Sequence, residues 1–248
     1  MVPADAERDA AFESLYAIDL VYRAGCHNRC GDAFCCNFAR HKQHFSFLGR
    51  RPMQELPLLA GEYEWLRARG WLAQFGEHEH REFALTLPDG RSIHADSIVS
   101  TRAGCACDHA TRPVICRLYP LLPVFDVDGR LTGIESLTIY DELERIAGAP
   151  RSCAVDDLPF EQLDLLLRFT SVLARQPAWL FQLAAYRLLK QHATARIERD
   201  SQAGTSAFAA FEWAFLRRRL ITASEVGAPL LELAHRHAER WGSAFELP

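Results

Sequence analysis

The sequence predicts an α-rich α+β protein, and three observations carry that expectation. All eight cysteines fall between Cys26 and Cys153, and residues 154–248 contain none. Two stretches inside the cysteine-bearing part run into Asp-Gly pairs, the turn chemistry of tight β-hairpins. From Asp157 onward, apolar residues recur at helical spacing, with turn residues between the runs. The expected organisation is a cysteine-cluster metal-binding domain with short hairpins over residues 1–155 and a helical C-terminal region over 156–248.

A helix is expected over 5–22, with Phe12, Leu15, Tyr16, Asp19 and Leu20 at mixed helical spacing, and a second over 60–70, where Tyr63, Leu66 and Arg67 precede Gly70. Phe83-Ala84-Leu85-Thr86-Leu87 leads into Pro88-Asp89-Gly90, and Val124-Phe125-Asp126-Val127 into Asp128-Gly129. Both Asp-Gly pairs favour the positive φ of a reversal. Leu163, Leu166, Leu167 and Leu173 would line one face of a helix capped by Asp157. Pro177 opens a further helix running to about Glu198. Ser201, Gly204 and Ser206 mark a loop, and helices over 206–220 and 228–241 complete the chain. Trp179, Phe181, Phe211, Trp213 and Phe215 read as core.

The chain has 248 residues, 49% hydrophobic and 24% charged, enough to bury a core and unlike a disordered chain. Its formal net charge of -4 offers no basic excess for a phosphate backbone, so no nucleic-acid partner is expected. Asp5, Glu7, Arg8, Asp9 and Glu13 stand where a secretory signal needs an apolar run. No apolar stretch approaches the roughly 20 residues that span a bilayer. A cytoplasmic protein without a membrane partner is expected, its partner an unidentified protein or small molecule.

In a reducing compartment, clustered cysteines bind metal or do redox chemistry more often than they form disulfides. One cluster is Cys26-His27-Asn28-Arg29-Cys30 followed by Cys35-Cys36. Another is Cys105-Ala106-Cys107 with Cys116 downstream, and Cys153 stands alone. Soft thiolates select zinc, copper(I) or iron–sulfur centres over hard cations. One tetrahedral zinc needs only four ligands, so eight thiols favour a multi-iron cluster or a pair of sites. The spacing matches neither common zinc ribbons nor the bacterial ferredoxin run. Arg29, Arg40, Lys42, Arg102, Arg112 and Arg117 lie near the cysteines in sequence, either as cations that favour thiolates or as solvated surface charges. Pro113 and Pro120 flank Cys116 and would restrict its backbone. Cys153 also fits the reading of a small buried hydrophobe.

These residues carry a resemblance. Cys26…Cys30…Cys35-Cys36, then Cys107 and Arg112-Pro113-Val114-Ile115-Cys116-Arg117-Leu118-Tyr119-Pro120, resemble the YkgJ-like cysteine-cluster family, described as zinc- or iron-chelating domains. The second element matches the family's R-P-x-x-C-R-x-Y-P run position for position, whereas the first is spaced more widely than the family's C-x2-C-G-x-C-C. The likeness covers roughly residues 20–155. The cluster is also similar to that of flagellin lysine N-methylases, which points to an iron–sulfur centre. The resemblance implies metal ligands among Cys26, Cys30, Cys35, Cys36, Cys105, Cys107, Cys116 and Cys153, with an iron–sulfur cluster of the 4Fe–4S type as cofactor and zinc as the alternative.

Other motifs are weaker. His78 and His80, in Glu77-His78-Glu79-His80, read as part of a charged loop rather than as a metal pair. His235 and His237 stand two apart on an expected helix and read as surface or edge residues. Asp126, Asp128 and Gly129 open like a calcium loop, but the twelfth position is Leu137, so a hairpin turn is expected. Three function classes follow: a metal-binding protein of unassigned role, an interaction protein stabilised by structural zinc, and an enzyme using the cluster for redox or methyl-transfer chemistry.

Overall fold

The computed structural model describes residues 4–22, 42–50, 54–100, 108–149, 153, 158–202 and 204–248. The chain is α+β. In the N-terminal part, α1 (Ala4–Ala17) buries Phe12 and Leu15. It stops short of the expected end at 22 because the next carbonyls leave the helix to accept from arginines. Arg117 Nη1 donates to Ile18 O at 3.0 Å, and Arg112 Nη2 donates to Leu20 O at 2.7 Å. Strand β1 (Gln54–Pro57) leads into α2 (Glu62–Ala68) through Gly61. Gly61 has φ of 82°, the left-handed region that favours glycine. A 3-10 turn (Trp71–Phe75) follows Gly70.

Strands β2 (His78–Thr86) and β3 (Ser92–Ser100) form the first hairpin, and β1 adds on the other side of β3, giving an antiparallel sheet of order β1-β3-β2. The turn closes at Pro88-Asp89-Gly90, where Gly90 has φ of 87° and Asp89 Oδ1 accepts from Arg91 N. His78 and His80 lie in β2 and not in a loop. The hairpin extends ahead of the apolar Phe83–Leu87 run, where His80 stacks on Tyr63 and meets the Asp96 carboxylate.

The short α3 (Val114–Leu118) starts after Pro113 and carries Cys116. Strands β4 (Leu121–Phe125) and β5 (Leu131–Ser136) form the second hairpin. Asp126 Oδ1 accepts from the backbone of Asp128 and Arg130, so this Asp-x-Asp-Gly run is a turn, as expected. Helix α4 (Ile139–Ile146) opens with a Thr138/Asp141 capping box.

Four longer helices follow. In α5 (Phe160–Leu173) the buried stripe is Leu166, Phe169, Thr170 and Leu173, whereas Leu163 and Leu167 are exposed. The expected face is therefore rotated toward Phe169. Pro159 holds the N-cap position, and Asp157 lies outside the described residues. Helix α6 (Pro177–Gln202) absorbs Ser201, whose hydroxyl donates to Glu198 O, so the loop begins later than the sequence suggests. Ser206 caps α7 (Ala207–Leu216) by accepting from Ala209 N. Helix α8 (Ala223–Trp241) begins at a Thr222/Glu225 capping box, earlier than the expected 228, and contains Pro229. Trp179, Phe181 and Phe211 are core, but Trp213 and Phe215 are substantially exposed, the reverse of the expectation for those two.

One apolar cluster joins Phe12, Leu15, Trp65, Val114 and Leu118 to Leu166, Phe169, Trp179 and Leu183. A second sets Phe45 and Leu48 against Phe208 and Phe211, and a third sets Leu87 and Phe181 against Val226, Leu230 and Phe245. Among the described residues, no helix is long and apolar enough to cross a membrane.

Candidate functional site

Two of the eight cysteines, Cys116 and Cys153, are described, and both are half-buried. Cys26, Cys30, Cys35, Cys36, Cys105 and Cys107 lie outside the described residues, as do Arg29, Arg40 and Arg102. The described chain ahead of Cys26 and after Cys107 is nevertheless tightly specified, and it converges on α3.

Arg117 organises that convergence. Its guanidinium, only 2% exposed, donates to Arg112 O at 3.2 Å, to Ile18 O at 3.0 Å and to Ala110 O. It also lies 4.5 Å from the centre of the Tyr16 ring. Arg112 is buried too and holds Leu20 O. These two arginines are thus not solvated surface charges. They tie the chain ahead of Cys26, and the chain just after Cys107, to the helix that carries Cys116. Asp19 and His109 approach to 3.6 Å across the same junction. Lys42, by contrast, is exposed.

A buried carboxylate supports the junction. Glu62 Oε1 accepts from Tyr16 Oη at 2.7 Å and from Val114 N at 2.7 Å, and Glu62 Oε2 accepts from Leu59 N at 2.9 Å. Burial pushes the Glu62 carboxyl above its ordinary pKa, against the pull of these donors and of Arg117. Burial, reinforced by the Glu62 charge, pushes the Tyr16 hydroxyl far above its usual value. Burial lowers the Arg117 pKa. On the other side, Gln74 pins the chain after Cys107. Its Oε1 accepts from Asp108 N at 3.0 Å and from Thr111 Oγ1 at 3.0 Å, while Nε2 donates to Thr111 O at 3.0 Å. Glu212 does the same for the chain after the first cysteine run, accepting from Ser46, Phe47 and Leu48 backbone N–H groups at 2.7–3.0 Å.

No family model, no curated protein and no solved structure matches this chain. Function is therefore argued from its own residues. Soft thiols at Cys116 and Cys153 fit a thiophilic centre. Arg112 Nε is buried with no hydrogen-bond partner among the described residues, a leftover donor beside the Cys116 helix of the kind an anionic thiolate centre accepts.

A second set of ligand-type side chains lies on the three-stranded sheet. His80, Glu82 and Asp96 bring one ligand atom each within 4.8 Å of one another. Glu82 and Asp96 face each other in register, an unfavourable like-charge pair, and His80 Nε2 lies 3.0 Å from Asp96 Oδ1. The His80 ring stacks on Tyr63 at 3.6 Å between centroids, nearly parallel. The trio could hold a cation, but an Asp96–His80 pair already satisfies its buried half, and Glu82 is largely exposed. His235 is exposed as expected, whereas His237 is buried against Phe181 and Phe245.

The supporting residues Tyr16, Glu62, Gln74 and Glu212 escaped sequence reasoning. Glu62 stands in the first turn of a helix, where an acid normally answers the helix dipole from solvent. No spacing marks it as a buried acceptor.

Proposed function

We propose that this chain is a metal-binding protein of the YkgJ-like cysteine-cluster type, in which thiolates gathered around Cys116 hold an iron–sulfur cluster in a reducing, cytoplasmic setting. The observation that carries this reading is the arginine clamp. Arg112 and Arg117 belong to the same R-P-x-x-C-R run as Cys116, and they fasten the chain ahead of Cys26 and behind Cys107 to the helix of that cysteine. The described stretches that precede Cys26 and follow Cys107 therefore both meet the helix of Cys116, which supports a shared site. Eight thiols exceed the needs of one tetrahedral ion, which favours a multi-iron cluster over a single zinc. Such a cluster, when bound, supplies one-electron redox chemistry or a rigid cross-link. The chain's own residues position the thiols, and Arg112 Nε offers a donor to the negative centre.

The test is protein purified without oxygen. Iron and acid-labile sulfide in comparable amounts, with brown colour, support the cluster. Colourless protein with stoichiometric zinc replaces it by the zinc centre. Cys116→Ser should lose most of the metal, because a hard hydroxyl is a poor ligand for a soft centre. Cys153→Ser should lose only part. Full metal occupancy in Cys116→Ser would remove the junction from the site.

A further inference from the structure

A cleft of about 390 Å³ lies where β1, β2, β3, α3, α4, α6 and α7 meet, with Cys116 in its wall. That is the size of a small-molecule site, toward the lower end of the usual range of about 300–1,000 Å³. Its walls are unusually aromatic. Phe83, Tyr119, Tyr140, Tyr186, Phe211 and Phe215 line it, from five different parts of the chain. Tyr186 donates its hydroxyl to Leu137 O at 2.8 Å, so what it leaves for a ligand is its ring.

The charge of the lining has one sign. Among the described residues it includes Glu55 and Asp96 but no Lys, Arg or His. Asp96 directs its carboxylate to His80. In the sheet register, Asp96 pairs with Glu82 and His80 with Ile98, while Pro57 and Arg81 both pair with Ser97. Side chains alternate along a strand, so Asp96 and His80 lie on the face opposite Ser97, Pro57 and Glu55. Glu55 is thus the acid on the cleft face, and it accepts from Ser97 Oγ at 3.3 Å. Arg81, on the same face, forks onto Glu79 with bonds of 3.0 and 2.9 Å, and its pull on Glu55 is weaker than its pull on Glu79.

We propose that this cleft binds a small organic cation with an apolar body, such as an alkylammonium, its charge held between Glu55 and the aromatic faces. Ring faces carry negative electrostatic potential and attract a desolvated cation, and a quaternary ammonium suits such a cage because it needs no hydrogen bonds. A neutral apolar ligand brings Glu55 no counter-charge of its own, and an anion meets that carboxylate directly. The inference does not depend on which metal the thiols hold.

The experiment is calorimetric titration of the full-length protein with hexyltrimethylammonium, hexanol and hexanoate. The cation should bind about tenfold more tightly than the alcohol, the factor that about 1.4 kcal/mol represents. Hexanoate should bind most weakly. Glu55→Gln should weaken the cation and leave the alcohol unchanged. Phe83→Ala and Phe215→Ala should weaken both; these rings are 50% and 37% exposed, so their loss should leave the fold intact. Equal affinity for cation and alcohol, an unchanged cation affinity in Glu55→Gln, or no binding of any probe would overturn the proposal.

Discussion

The Tyr16 hydroxyl donates to Glu62 Oε1 over 2.7 Å, and the same oxygen accepts from Val114 N, so one carboxylate joins α1 to the helix of Cys116. The second oxygen accepts from Leu59 N. Losing one hydrogen bond costs about 1 kcal/mol net, but stranding several buried donors costs about 1–3 kcal/mol for each. Tyr16→Phe should therefore destabilise by about 1 kcal/mol, and Glu62→Ala by about 3 kcal/mol or more, measured by urea denaturation. Equal losses would mean that the carboxylate is not the shared acceptor.

Arg117→Lys tests the planar geometry of the arginine. Three carbonyls, those of Arg112, Ile18 and Ala110, accept from three different nitrogens of one guanidinium. A lysine ammonium is a point charge and cannot span them. The variant should lose about 2–4 kcal/mol, on the scale of leaving buried groups unpaired. Amide hydrogen exchange should rise around Leu20 and Val114 first. A stability within 0.5 kcal/mol of wild type, roughly the scatter of a surface change, would show that the clamp is not needed.

Much of the fold was legible because its signals are local. The Asp-Gly turns at Gly90 and Gly129, the proline opening α6 and the helical periodicity after Asp157 each rest on neighbours in sequence. Errors came where distant contacts decide. The end of α1 depends on arginines about 100 residues away, and the stripe of α5 depends on which face meets α1. Trp213 and Phe215 are hydrophobic but exposed, because α7 packs through Phe208 and Phe211 instead. At the candidate site, the R-P-x-x-C-R run was readable as a motif around Cys116, whereas six of the eight cysteines lie outside the described residues. The roles of Arg112 and Arg117 were not readable, since an arginine that binds backbone carbonyls looks the same in sequence as a surface charge. The aromatic cleft was invisible, as its rings come from elements scattered between Phe83 and Phe215.

Glu212 should act as a latch on the segment that follows the first cysteine run. Burial raises its pKa, but bonds from Leu48, Phe47 and Ser46 outweigh that and hold it below the usual range. A depressed folded pKa means that the contribution is present above the unfolded value of about 4.3 and is lost as pH falls through the folded value. Glu212→Gln keeps one acceptor oxygen and turns the other into a donor facing backbone N–H groups. Amides 46–48 should exchange at least about tenfold faster in the variant, corresponding to about 1.4 kcal/mol of local stability. Unchanged exchange there would separate the latch from the segment.

His237 gives the fold a pH dependence of its own. Its ring lies 5.6 Å from Phe181 and 5.5 Å from Phe245, and its Nδ1 is buried without a hydrogen-bond partner among the described residues. Burial, helped by the neighbouring Arg236 charge, lowers its pKa to about 4. The unfolded chain holds its proton below about 6.5, so between 6.5 and 4 the unfolded state binds more protons than the folded one. Stability from this residue is therefore full above pH 6.5 and falls as pH drops toward 4. At about 1.36 kcal/mol per pKa unit, the loss reaches about 2 kcal/mol by pH 5 and approaches about 3 kcal/mol near pH 4. Carboxylates elsewhere titrate in the same range, so the measurement is a difference. Urea denaturation of wild type and His237→Phe at pH 7 and pH 5 should show the wild type losing about 2 kcal/mol more than the variant. At pH 7 the variant should be at least as stable, because it removes that buried nitrogen; His237→Leu guards against a phenylalanine that is too large for the space. Parallel pH profiles for all three proteins would show that the buried ring takes up its proton without leaving the folded state.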